Sequence, residues 1–103
     1  MNLLLSDSAV KDLEDIQNFY LNEGVSQIGD RFLSEIMSHI EILSDHPDIG
    51  RKVPEFDVEK IREIQHPPYR IVYVRDVHAI YIIRVWRSER LLSMIDTPLG
   101  GKI

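Results

Sequence analysis

The sequence has no cysteine, which excludes both a disulfide framework and a thiolate metal site. It has no long apolar run either: the stretch nearest the N-terminus, Leu3-Leu4-Leu5, is too short for a membrane span, and no basic region precedes it as in a secretory leader. A cytoplasmic protein without a membrane-spanning segment is therefore expected. Its five glycines form no glycine-rich phosphate-cradling loop and no nucleophile elbow. The four histidines, His39, His46, His66 and His78, stand at no metal-ligand spacing from one another or from a carboxylate. No metal and no cofactor are expected. Carboxylates crowd the segments with helical periodicity, where solubility is their ordinary role, and no spacing points to a paired-carboxylate hydrolase.

What is present suits one domain. A chain of 103 residues with 44% apolar side chains can bury roughly 60–70% of its unfolded surface. The formal charge of −5 hides an asymmetry. Residues 1–50 carry ten acidic and two basic side chains, whereas residues 51–103 carry seven acidic and ten basic. An acidic half repels nucleic acid, while the basic half can receive an anionic partner. Direct nucleic-acid binding is not expected from such a balance.

Apolar periodicity places the elements. Asn2–Leu5 is a short strand, with Ser6 or Ser8 available to cap the helix that follows. Ala9, Leu13, Ile16 and Tyr20 recur at steps of four, three and four, the face of an amphipathic helix that ends at Gly24. Ser26 is expected to cap a second helix, whose stripe runs from Ile28 through Phe32, Ile36 and Ile40 to Leu43 and stops at His46-Pro47. Asp48–Glu59 is expected to be a loop. Three strands follow, Lys60–Gln65, Tyr69–Arg75 and Ala79–Arg87, the last two forming a hairpin. The expected fold class is α+β: an N-terminal strand, a helical hairpin and a three-stranded antiparallel meander in one small sheet. Residues 1–96 form the domain and residues 97–103 a flexible tail.

Alternation sorts the strand residues by face. Tyr69, Ile71 and Tyr73 oppose Arg70, Val72 and Val74. Along the last strand, Tyr81, Ile83 and Val85 are expected to oppose Ile80, Ile82 and Trp86. Both faces are thus apolar, yet two consecutive helices in one layer cover only one. The C-terminal Leu91, Leu92, Met94 and Ile95, another copy, or a partner must cover part of the second.

Four segments together resemble the RelE/ParE toxin superfamily, the plasmid stabilisation toxins. They are Ala9-x-x-Asp12-Leu13-x-x-Ile16, His46-Pro47-Asp48-Ile49-Gly50-Arg51, Arg62-Glu63-Ile64 with Pro68-Tyr69-Arg70-Ile71-Val72-Tyr73, and Ile83-Arg84-Val85-Trp86. The resemblance runs from about Leu3 to about Leu92. It implies the toxin of a type II toxin–antitoxin pair, neutralised by a cognate ParD-like antitoxin in a hetero-oligomer. RelE-like members cleave messenger RNA on the ribosome without metal; ParE-like members inhibit DNA gyrase and block replication.

The nuclease residues of the superfamily are mostly missing at the matching positions. Arg70 matches the arginine after the tyrosine of the Tyr69–Tyr73 stretch. The lysine positions correspond to Ile61 and Glu63, the later arginine to Ser88 (with Arg87 or Arg90 in reach by a small shift), and the aromatic acid to the neighbourhood of Met94. Arg87 stands where a histidine often ends the last strand. Cleavage through a 2′-hydroxyl needs a base, an acid and cations on the phosphate, which Arg70 alone does not supply. A ParE-like inhibitor rather than a catalyst is expected, with the metal-independent endoribonuclease as the alternative. The resemblance implies target contact near the C-terminal segment, and arginine and tryptophan are enriched at binding hot spots. Arg62, Arg70, Trp86, Arg87 and Arg90 are the candidate target-binding residues, with Arg70 equally suited to bracing the sheet through Glu63.

Overall fold

The computed structural model describes residues 1–88. Strand β1 (Asn2–Leu5) leads into helices α1 (Asp7–Asn22) and α2 (Ser26–Asp45). Strands β2 (Arg51–Lys52), β3 (Ile61–His66), β4 (Tyr69–Arg75) and β5 (Ala79–Arg87) follow. They form one five-stranded sheet in the order β1-β5-β4-β3-β2. Among the described residues only the β1–β5 pairing is parallel. The α+β class and the strand–hairpin–meander order agree with the expectation. The two-residue β2, inside the segment expected to be a loop, is an addition. The expected boundary between domain and tail lies outside the described residues, as do Arg90, Leu91, Leu92, Met94 and Ile95.

Local chemistry explains the helix ends. Ser6 caps α1, its Oγ accepting from the Ala9 N–H at 3.0 Å. At the other end Gly24 sits at φ +79°, where a side chain would be strained. The Val25 N–H then donates to the Tyr20 carbonyl and the Gly24 N–H to that of Leu21, which satisfies two orphan acceptors. This tight closure corrects the expectation for Ser26. The turn is complete at Val25, so Ser26 is already the first helical residue and caps nothing. His46 ends α2 before Pro47, as expected.

The two helices pack on one face of the sheet. Ala9, Leu13 and Ile16 of α1 and Ile36, Ile40 and Leu43 of α2 meet Ile64, Tyr69, Ile71, Tyr73, Ile80, Ile82 and Val85 in one continuous core. A smaller cluster on the opposite face joins Val53, Val72 and Trp86, with Ile61 and Ile83 beside it. Val53, just past β2, is fully buried. The chain's own β2–β3 connection therefore covers part of the second face.

The faces of β5 differ from simple alternation. Tyr73 pairs with Ile82 and Val72 with Arg84, leaving Ile83 as an extra residue between them. One extra residue turns every later side chain to the other face. Ile80 and Ile82 accordingly face the helices, whereas Trp86 faces away and Val85 takes the helix side.

Candidate functional site

Two ionic assemblies flank the end of β5, the first centred on buried Asp12 and the second on buried Glu63 and Arg70. β1 stops at Leu5 while β5 continues for five residues past Ile82, so one edge of β5 loses its strand partner. The start of α1 replaces it. The Ser6 N–H donates to the Ile82 carbonyl at 2.9 Å and the Ser6 Oγ to that of Ile83 at 3.1 Å. Asp12 then accepts from the Val85 N–H at 2.9 Å. The same carboxylate takes both arms of Arg84, at 2.8 and 2.9 Å. That pairing raises the Arg84 pKa, chiefly through its hydrogen bond to Asp12. The guanidinium lies 4.6 Å over the Trp86 ring, within cation–π range. Asp12 is thus an edge cap, which accounts for a carboxylate beside Leu13 on a buried helix face.

Beyond this cap lies a cleft of about 470 Å³ between α1 and the end of the sheet. Ile16, Phe19, Tyr69 and Val85 give it apolar walls, with Asp15 and Arg87 on its lining. Phe19 is 53% exposed. Tyr69 is buried beneath; burial first, then its contact with Tyr20, pushes the phenol up to about 12, so the group is neutral. The Arg87 guanidinium lies 5.8 Å over the Tyr69 ring.

The second assembly occupies the sheet face away from the helices. Glu63, 1% exposed, accepts from Arg70 Nε and Arg51 Nε, both at 2.6 Å. Arg70, 5% exposed, places its two Nη atoms 2.9 and 3.0 Å from the oxygens of Glu55. Burial alone would lower the Arg70 pKa, but hydrogen bonds to Glu55 and Glu63 outweigh it and raise the value. The Arg70 hydrogen bond holds Glu55 below the usual carboxylate range. Two arginines face two carboxylates, so the assembly has no net positive charge to offer a phosphate.

The structure places the five candidates in different surroundings. Arg70 and Trp86 are cross-strand partners on the outer face. Trp86 is 7% exposed, and its Nε1 has no hydrogen-bond partner among the described residues. Arg87 pairs with Tyr69 and lies at the cleft. Arg62 is roughly 13 Å of strand away on the helix side, opposite Tyr73. It donates to the Gly50 carbonyl and to Glu59, both at 2.9 Å. Gly50 is required there: a Cβ would lie 2.5 Å from the Tyr73 hydroxyl, to which its N–H donates. Arg90 lies outside the described residues. The candidates therefore do not form one patch: Trp86, Arg70 and Arg87 share an end of the sheet, while Arg62 stands apart.

Asp12 and Glu55 received no role from the sequence. The available signal for Asp12 was its place next to Leu13, within the apolar periodicity of α1. Glu55 lies in a non-periodic connection and gave none. Among the described residues, no group of three or more His, Cys, Asp or Glu side chains is arranged to hold a metal, and no helix is long and apolar enough to cross a membrane.

These features can be set beside known proteins. The family model described as ParE toxin of type II toxin-antitoxin system, parDE, matches residues 3–92. The chain belongs to the ParE toxin family. A solved structure titled as a chromosomal ParDE TA system from P. aeruginosa superposes with a TM-score of 0.72 at 20% identity, covering 84% of this chain and 95% of that one. At that identity the likeness is one of fold. No curated protein sequence matches the chain. Family membership makes this a toxin component of a ParDE-type pair, and pairing with an antitoxin is the family's defining arrangement.

Proposed function

We propose that this ParE-family toxin acts in the cytoplasm by inhibiting DNA gyrase and so blocking replication, and that a cognate ParD-like antitoxin neutralises it. One observation carries the choice of target class. Arg70, the residue that matches a nuclease position of the wider superfamily, is buried between Glu55 and Glu63. An arginine neutralised by two carboxylates is poorly suited to stabilising a phosphorane. Ile61 and Glu63 supply no cation at the matching lysine positions. A binding mechanism needs none of these groups.

The proposed contact surface is the end of β5, with Arg87 and, further along the chain, Arg90, while Trp86, 7% exposed, supports it from the outer face. Arg62 contributes at the other end of the sheet. Arg70 acts from beneath, holding the β2–β3 connection against the face on which Trp86 lies. The cleft beside Phe19 has the size and lining for an apolar side chain of an antitoxin segment.

The test is a supercoiling assay with purified gyrase and the purified full chain. Inhibition that weakens in Arg87→Ala and Arg90→Ala and disappears when antitoxin is added supports the reading. No binding to gyrase and no change in supercoiling contradicts it.

A further inference from the structure

The sequence separates His39 and His66 by 27 positions, and the fold brings their rings together. His39 lies on α2; His66 is the last residue of β3, immediately before the Pro67-Pro68 turn. Their Nδ1 atoms are 3.1 Å apart with the ring planes tilted by 55°. At that distance one nitrogen donates and the other accepts, because two N–H groups would repel and two lone pairs would leave both unsatisfied. The far side of His66 is defined too: its Nε2 lies 3.7 Å from Oε1 of Glu35, one turn before His39 on α2.

We infer that His39 and His66 form a proton-operated latch between α2 and the β3–β4 turn, which survives one added proton and opens with the second. In the neutral pair the Glu35 carboxylate favours the N–H on His66 Nε2, so His66 Nδ1 accepts and His39 Nδ1–H donates. One added proton still leaves a single N–H between the two Nδ1 atoms, and the contact is kept. The second puts a proton on both Nδ1 atoms. It sets N–H against N–H between two cations and separates the rings.

The charged groups around the pair are Glu35 and, behind it on α2, Arg31, whose Nε is 3.9 Å from Glu35. From β4 the register partner of His66 is Tyr69, whose phenol is neutral, and Arg87 of β5 lies over that ring. None of these places a carboxylate against His39. Its pKa is lowered, by burial first and then by His66. A histidine with a depressed folded value binds its proton more readily when unfolded. Its contribution to stability is therefore intact above the ordinary value of 6.5 and is lost as pH falls through the depressed one.

The latch bears on a particular place. The Pro68 carbonyl of the turn accepts from the Ser88 N–H at 2.9 Å and from its Oγ at 3.3 Å. Opening the latch loosens the turn that anchors the chain where β5 ends and residue 89 begins. This inference does not depend on which target the toxin has.

The experiment is a ring-nitrogen NMR titration of the full wild-type chain, with Ser88 amide protection measured at pH 7 and pH 5. Expected are an Nδ1-protonated partner at pH 7 and two coupled steps at least about one pH unit apart. Ser88 protection should fall about tenfold relative to Ile71 at the lower pH, the equivalent of that one unit. In His39→Asn the second step should disappear, and the acid loss at Ser88 with it. Independent single-step titration of both rings in the wild type would overturn the latch. Ser88 protection that does not depend on pH would overturn its link to the strand end.

Discussion

The two faces of this sheet are built on different physics. The helix-covered face is mostly apolar, and its stability comes from area removed from water and from close packing. The outer face has a small apolar cluster around Val53, Val72 and Trp86 beside a lattice of Arg51, Glu63, Arg70 and Glu55. Apolar packing degrades gradually when an atom is lost. A buried ion lattice does not, because each removed charge leaves another unpaired. The contrast teaches where this molecule can vary. The first face tolerates conservative exchange, while the second specifies which arginine pairs with which carboxylate and so fixes the β2–β3 connection over the sheet.

Glu63→Ala should give the largest effect. It removes one of the two carboxylates on buried Arg70 and the partner of the largely exposed Arg51, and breaking a buried pair costs up to about 3–5 kcal/mol. Urea denaturation measures it, and a loss below about 1 kcal/mol would mean that water already reaches the lattice. Ile40→Ala on the other face should cost about 2–5 kcal/mol through a cavity in the helix–sheet core. The double variant sharpens the comparison. The two sites share no partner in either network, so their costs should add to within about 0.5 kcal/mol; strong coupling would show that the faces are not independent.

Asp12→Ala should rank next, at about 1–3 kcal/mol, since it removes the acceptor of the Val85 N–H and leaves Arg84 without its partner. The smallest effect is on pH dependence. Glu55 has a depressed pKa, so its contribution is fully present above the ordinary value of 4.5 and is lost as pH falls through the lower folded value. Glu55→Gln should flatten the acid limb of a stability–pH profile, and an unchanged limb would contradict the assigned pairing.

Most of the fold was legible because its signals are periodic. The steps from Ala9 to Tyr20 and from Ile28 to Leu43 lie along the two helices, and β1, β4 and β5 begin and end where expected. What escaped was aperiodic. A bulge at Ile83 cannot be located inside Ile80–Trp86, where nearly every side chain is apolar and either phase looks buried. Ser26 resembles a cap in composition, and only the closure at Val25 shows that the helix has already begun. β2 is two residues long, below any pattern. At the candidate site the pairing of Arg70 with Glu63 was open to a sequence reading, since both stand in adjacent strands. Glu55 as second partner was not, because a loop carries no register.

Under the proposed mode of action the outer-face arginine is structural and the toxin works by binding, and pulse-labelling of DNA and protein synthesis in the minutes after the chain is induced without antitoxin tests this most directly. DNA synthesis falling first while translation continues is the predicted result. Translation collapsing first, with discrete cuts in translated messages that vanish in Arg70→Ala, would contradict it.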